Sequence, residues 1–168
     1  MTQVIRTQAG HTGYRDQLDR TRRLLDRVQS AATDQEWGTM INDLAFQDDM
    51  WSFFQACWHI KDWVKHDPLV PDDVKTAITR QAEASPLLLM CHDICNGTKH
   101  LELTTPRGGG THHDYTESKY ESGFVVSIDC WFNDGSGVIL SGKELARMCI
   151  AEWERIFESH GLAIARRS

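Results

Sequence analysis

Apolar positions recur at helical spacing over most of the first hundred residues, and each run ends on a recognisable stop. From about Gly13 to Ser30, Tyr14, Leu18, Thr21, Leu25 and Val28 share one face, which predicts a first helix. Thr33 followed by Glu36 is a capping-box pattern and restarts helix after a short turn. A long helical region then reaches His66, with a break expected near Asn42–Asp43, and the segment DPLVP stops it. PDDVKTAITRQAEA is a third helix, opened by Pro71 and by acids that suit the helix dipole. Ser85 and Pro86 start a fourth through LLLMCHDICN, and Gly97 either ends it at a C-cap or sits inside it where another backbone comes close.

The period then changes to two. LELT and GFVVSIDCWF alternate as strands do, with Phe124, Val126, Ile128, Cys130 and Phe132 on one face. NDGSG is a turn signal leading into VIL, which predicts a hairpin. RGGGTHHDYTESKYES, between the first two strands, is expected as an exposed, mobile loop. Ser141 with Glu144 forms another capping box, and Leu145, Met148, Cys149, Trp153, Ile156 and Phe157 give an amphipathic last helix that closes at Gly161. The expected fold is mainly α: one domain over residues 1–168, a bundle of about five helices, with a small antiparallel β-hairpin sheet inserted at 101–140 before the last helix.

Two polar rows interrupt this apolar pattern. In SFFQACWHIKDWVKHDP, Phe53, Cys57, Ile60 and Val64 make one apolar face and Trp51, Phe54 and Trp58 another, which places the helix centrally in its domain. Its one polar row is Asp48, Ser52, Gln55, His59, Asp62 and His66. A wet face is usually rich in Lys and Glu; this row has neither, and its residues suit a groove or semi-buried interface. In CHDICNGTKH, a helix continuing through Gly97 puts Asp93, Asn96 and His100 on one face, at the same spacing as His59, Asp62 and His66. Two such rows facing each other would line one polar cleft. The plainer alternative is a solvent-facing row satisfied by its neighbours. His92 is expected as a surface or capping residue, and His112 and His113 in a flexible loop.

Composition narrows the function classes. Apolar content of 40% and charged content of 25% belong to a globular chain, and no apolar run approaches the ~18 residues of a membrane span. The N-terminus has no apolar signal core, and five cysteines sit mostly inside apolar patterns. A reduced cytoplasmic protein with buried thiols is the expectation. The net charge of −6 argues against a protein that coats nucleic acid, although residues 1–30 hold six Arg against three Asp and leave room for a local phosphate contact.

Chemistry at the polar rows divides three ways. His59, Asp62 and His66, with Asp93 or His100, have the imidazole and carboxylate groups of a metal-binding bundle, though neither His-Glu-x-x-His nor Glu-x-x-His is present. Metal-free acid–base chemistry on RNA is the second route. CNGTKH places Asn96 and His100, and KDWVKH places Asp62 and His66, at the polar and His positions of an Arg–polar–His helix motif; Cys95 and Lys61 stand where Arg belongs. In these stretches the chain resembles the HEPN superfamily of small helical-bundle proteins, over residues 44–100 and without the hairpin. WHIKDWV and NGTKHLEL also resemble small bacterial and phage proteins. The HEPN resemblance implies a ribonuclease or toxin of a bacterial or phage conflict system, acting as a homodimer with its site between two bundles.

Under that resemblance His100 is the general base or acid, Asn96 orients the 2′-hydroxyl or a phosphate oxygen, and Lys99 offsets developing negative charge. His66 or His59 is the second proton-transfer group, with Asp62 and Asp93 beside them. The loss of Arg removes the fixed fork that grips a phosphate. No cofactor and no metal is expected for this reading; the partner is RNA and no membrane is involved. The third route is a non-catalytic interaction module, whose polar rows and hairpin would contact a protein partner.

Overall fold

The computed structural model describes residues 13–31, 43–97, 106–121 and 124–165. Within them the chain forms α1 (Tyr14–Ser30), α2 (Asp43–His66), α3 (Asp72–Ala84), α4 (Pro86–Gly97), β1 (His112–Glu121), β2 (Phe124–Asn133), β3 (Ile139–Ser141) and α5 (Gly142–Ser159). The mainly α architecture read from the pattern is therefore observed, with an antiparallel sheet of order β1-β2-β3 placed before the last helix. The Thr33–Glu36 capping box and the LELT strand lie outside the described residues, as do the side chains at 124–126.

α2 is the central helix. Phe53, Phe54, Cys57, Ile60 and Val64 are fully buried, and Trp58 nearly so, because apolar residues at both three- and four-residue steps wrap most of its circumference. α1, α3, α4 and α5 pack around it, and the buried face of β2 (Ile128, Cys130, Phe132) closes the core from the side. α5 contributes Leu145, Cys149, Trp153, Ile156 and Phe157, each 2% exposed or less. Trp153 satisfies its indole N–H on the Cys57 carbonyl at 3.1 Å, so the largest side chain in the core leaves no orphan donor. Burying each such side chain stabilises the fold by roughly 1.5–3 kcal/mol.

Helix ends are fixed by side chains from elsewhere in the chain as well as by local caps. α1 has no side-chain cap of its own; instead Asp67, in the turn after α2, accepts from the Tyr14 N–H at 3.1 Å and from Leu69 N–H at 2.8 Å. A Cβ at Gly13 would stand 2.2 Å from the Asp67 carboxylate and push it off the Tyr14 N–H. Ser141 caps α5 as its pattern predicts, accepting from Glu144 N–H at 3.1 Å, while the Glu144 carboxylate pairs with Arg147. Gly161 closes α5 in the left-handed conformation, and Leu162 N–H returns to the Phe157 carbonyl at 2.9 Å.

The sheet corrects one expectation. Residues 112–121, read as part of a mobile loop, form β1 and pair with β2 along its length, from His112↔Asn133 to Glu121↔Phe124. β1 carries so many polar groups because it is an outer strand: His112, Asp114, Tyr115, Glu117 and Lys119 are exposed, while His113, Thr116 and Ser118 are half-buried on the other face. A register shift between His113 and Tyr115 breaks simple alternation and hides the strand from a period-two reading. His113 is no loop residue either. It sits edge-on to Trp51 and Phe132, with ring centroids at 5.1 and 5.8 Å.

Candidate functional site

α4 is apolar on its inner side, yet Asp93 stands among Leu88, Cys91, Ile94 and Cys95 with no exposure at all. A buried carboxylate needs donors on both oxygens. The Pro106–Gly110 loop supplies them from its backbone: Arg107 N–H reaches Oδ1 at 2.8 Å, and Gly108 and Gly110 N–H reach Oδ2 at 2.8 and 2.9 Å. The fourth donor is His92 Nδ1, 3.0 Å from Oδ1. Burial pushes the Asp93 carboxyl up, but the Arg107 N–H, His92 and the Gly110 and Gly108 N–H groups outweigh it and hold the group below the usual carboxylate range.

The loop can close this tightly because of its glycines. A Cβ on Gly108 would stand 2.3 Å from the Leu89 carbonyl oxygen, so only a bare backbone reaches α4 here. On its other side the loop meets the turn between β2 and β3, where a Cβ on Gly135 would meet the Gly109 carbonyl. Asp93 thus fixes the loop against α4 and, through it, against the sheet.

Fixing the backbone of residue 107 sets where its side chain starts. Arg107 joins Lys65 of α2 and Lys75, Thr76, Thr79, Arg80, Glu83 and Ala84 of α3 in lining an open groove of about 610 Å³. Four cations face one carboxylate. Lys75 bonds Asp72 at 3.0 Å, and Glu83 is taken by Lys61 at 3.4 Å, itself 4.4 Å from the centre of the Trp58 ring. Among the described residues no carboxylate pairs with Lys65, Arg80 or Arg107. Three cations without a carboxylate partner share this concavity with the Thr79 hydroxyl, while the Thr76 hydroxyl donates to the Asp72 carbonyl at 2.9 Å; the local charge is positive in a chain whose net charge is −6.

The residues named from the sequence divide between several places. His59 and Asp62 line a second groove of about 570 Å³, with Ser52, Gln55, Ala56 and Trp63 of α2 and Gln17, Arg20 and Leu24 of α1. α4 contributes nothing to that groove, so the α2 row faces α1 while Asp93 faces the 106–110 loop. His66 is exposed at the end of α2, beside Lys65 in sequence. Its Nδ1 lies 2.7 Å from the Asp62 carbonyl, which can only accept, so Nδ1 is the donor of this bond. Asn96 bonds His92 Nε2 at 2.8 Å. Lys99 and His100 lie outside the described residues.

His92, expected at the surface, is buried. It bridges Asp93 and Asn96 and packs edge-on against Trp58 at 4.8 Å. Sequence reasoning missed both Arg107 and the role of His92. The available signal was an aspartate inside an apolar helix face followed by a Gly-Gly-Gly loop, a buried acceptor with a ready source of unobstructed N–H donors. Compared with family profiles, curated proteins and solved structures, the chain has no match in any of the three.

Proposed function

We propose that the protein is RNA-directed and holds the phosphate backbone of single-stranded RNA in the groove between α2, α3 and the 106–110 loop. The observation that carries this reading is the convergence of Lys65, Lys75, Arg80 and Arg107 on one groove of an acidic protein, with the Arg107 backbone anchored by a buried aspartate. Arg107 supplies the guanidinium that Cys95 and Lys61 leave missing from the helix motifs, and its planar fork suits phosphate oxygens better than a lysine does. The preference for RNA over DNA comes from the HEPN resemblance, in which a 2′-hydroxyl is the nucleophile and His100 its base. His66, which follows Lys65 in sequence and is exposed at the end of α2, is the second proton-transfer candidate. His92 and Asp93 hold the loop and are positioning residues.

The test is titration of labelled single-stranded RNA, and of DNA of the same sequence, with the full chain in EDTA over a range of salt. The wild type, Arg107→Ala and His100→Ala are run in parallel, and cleavage is scored in the same tubes. With three unpaired cations engaged, log affinity falls against log salt with a slope of about −2. Arg107→Ala binds more weakly, and His100→Ala binds as the wild type does without cleaving. Salt-independent binding, or equal affinity in Arg107→Ala, sinks the reading.

A second reading, a protein-interaction module, is favoured by the α1–α2 groove. It presents Arg20 and Asp62 with Gln17, Ser52, Gln55 and His59, a mixture suited to a polar peptide. Substitution at Arg20 or Asp62 would then abolish partner capture without touching RNA binding.

A further inference from the structure

Three of the five buried cysteines come together from three different helices. Cys57 of α2, Cys91 of α4 and Cys149 of α5 have no exposed surface, and their sulfur atoms all lie within 4.8 Å of one another. No His, Asp or Glu joins the group among the described residues. The surrounding polar contacts are backbone carbonyls, Phe54 at 3.2 Å from the Cys91 sulfur and Leu87 at 3.6 Å from that of Cys149. Burial pushes the Cys57 and Cys91 thiols up. The Cys91 and Cys149 S–H groups are directed at these two carbonyls.

We propose that Cys57, Cys91 and Cys149 form a three-sulfur centre for a trivalent thiophilic ion of the arsenite class. Geometry and charge both select this class. A trivalent ion with a lone pair holds three sulfurs as a pyramid, and with ion–sulfur bonds of about 2.3 Å they stand about 3.4 Å apart, so from their present spacing the sulfurs need move by less than about an ångström each. Zinc would require a fourth ligand, which neither the described residues nor water at zero exposure provides. Monovalent copper accepts three sulfurs, but three thiolates would then leave two negative charges in an apolar core. A trivalent ion with three thiolates is neutral. The exchange also balances without oxidation or reduction: three As–O bonds of arsenous acid break as three As–S bonds form. The three hydroxyl groups leave as three waters, each taking one S–H proton.

Because the sulfurs are enclosed, uptake by the native chain needs transient separation of α4 from α5, while refolding offers an open route. The experiment uses reduced full-length protein, native and refolded, with arsenite, Cu(I) or Zn(II) alone, read by native mass spectrometry and thermal melting. The expected result is one arsenic bound with loss of three hydrogens, slow in the native protein and complete on refolding, with a raised melting midpoint. Cys57→Ala, Cys91→Ala and Cys149→Ala each weaken retention by about 100-fold, the scale of one lost intramolecular attachment, while Cys95→Ala and Cys130→Ala retain it fully. The wild-type mass alone counts the sulfurs engaged, so the outcome stands even where a variant fails to fold. An adduct that loses only two hydrogens overturns the proposal, as does no adduct by either route. Tighter binding of zinc or copper also overturns it.

Discussion

Asp93→Asn removes one charge and almost no volume, and isolates what the buried carboxylate does. In the native protein its two oxygens receive four donors: Oδ1 takes Arg107 N–H and His92, and Oδ2 takes Gly108 and Gly110 N–H. The asparagine amide has one acceptor and one NH₂ group: turned one way the NH₂ meets the Gly108 and Gly110 N–H groups, and turned the other it meets Arg107 N–H and forces His92 to move its proton to Nε2, against the Asn96 amide. Each lost hydrogen bond, with its donor left short of a partner, costs about 1–2 kcal/mol, giving about 2–4 kcal/mol in total. A urea titration at neutral pH should show the midpoint lowered by about 1–2 M, for a slope of about 2 kcal/mol per M.

The difference also depends on pH in a defined direction. The folded-state pKa of Asp93 is depressed, so its contribution is fully present above the unfolded value of about 3.9 and is lost as pH falls through the folded value below that. Wild type and variant should therefore converge as the titration is repeated from about pH 5 downwards. Arg107 is positioned through the same loop, so the variant should also bind RNA more weakly, an effect that simple loss of stability does not produce in protein still folded at neutral pH. A stability loss under about 0.5 kcal/mol, within the range of an ordinary surface substitution, would refute the reasoning. So would a gap that stays constant through the acid range.

Other substitutions probe separate parts of the argument. Arg80→Ala and Arg107→Ala should each reduce the salt slope of RNA binding by about 0.7, measured by fluorescence anisotropy, while leaving the melting midpoint close to wild type. Gly108→Ala brings a Cβ to 2.3 Å from the Leu89 carbonyl and should cost about 2 kcal/mol or more, detected as new protease cleavage at the 106–110 loop. Arg22, 6% exposed, bonds Glu154 at 2.6 Å and Asp19 at 3.3 Å. Arg22→Ala should cost about 2 kcal/mol by denaturation, less than a fully buried pair because Glu154 retains contact with water. Ser141→Ala removes both the cap on Glu144 N–H and a hydrogen bond to Asp129, and should cost about 1–2 kcal/mol in the same assay.

What the sequence showed and what it concealed follow one distinction. Ends of elements are local, and Pro71, Pro86, Ser141 and Gly161 placed the boundaries of α3, α4 and α5 to within a residue or two. Periodicity likewise identified which residues of α2 share a face. It carries no information on which element covers that face, so the row through His59 and Asp62 was matched to α4 by spacing although it lies against α1. β1 escaped notice because an outer strand interrupted by a register shift has neither apolar alternation nor a continuous period. Arg107 and the three cysteines were harder still. The first is placed by a carboxylate 14 positions away, and the second are separated by 34 and 58 positions, distances over which no local pattern extends.

The fastening of α1 bears on how the chain is made. Tyr14 packs on Phe157 and bonds the Ala163 carbonyl at 3.0 Å, Arg22 bonds Glu154, and Gln29 reaches the Lys143 carbonyl at 2.8 Å. Every one of these partners is translated more than a hundred residues after the group it meets. While the chain emerges from the ribosome, α1 can dock on α2 but must hold the smaller face that meets α5 open until that helix follows. Synthesis would then produce a sticky, incomplete bundle for most of its duration, and the final helix would act as the clasp that ends that exposure.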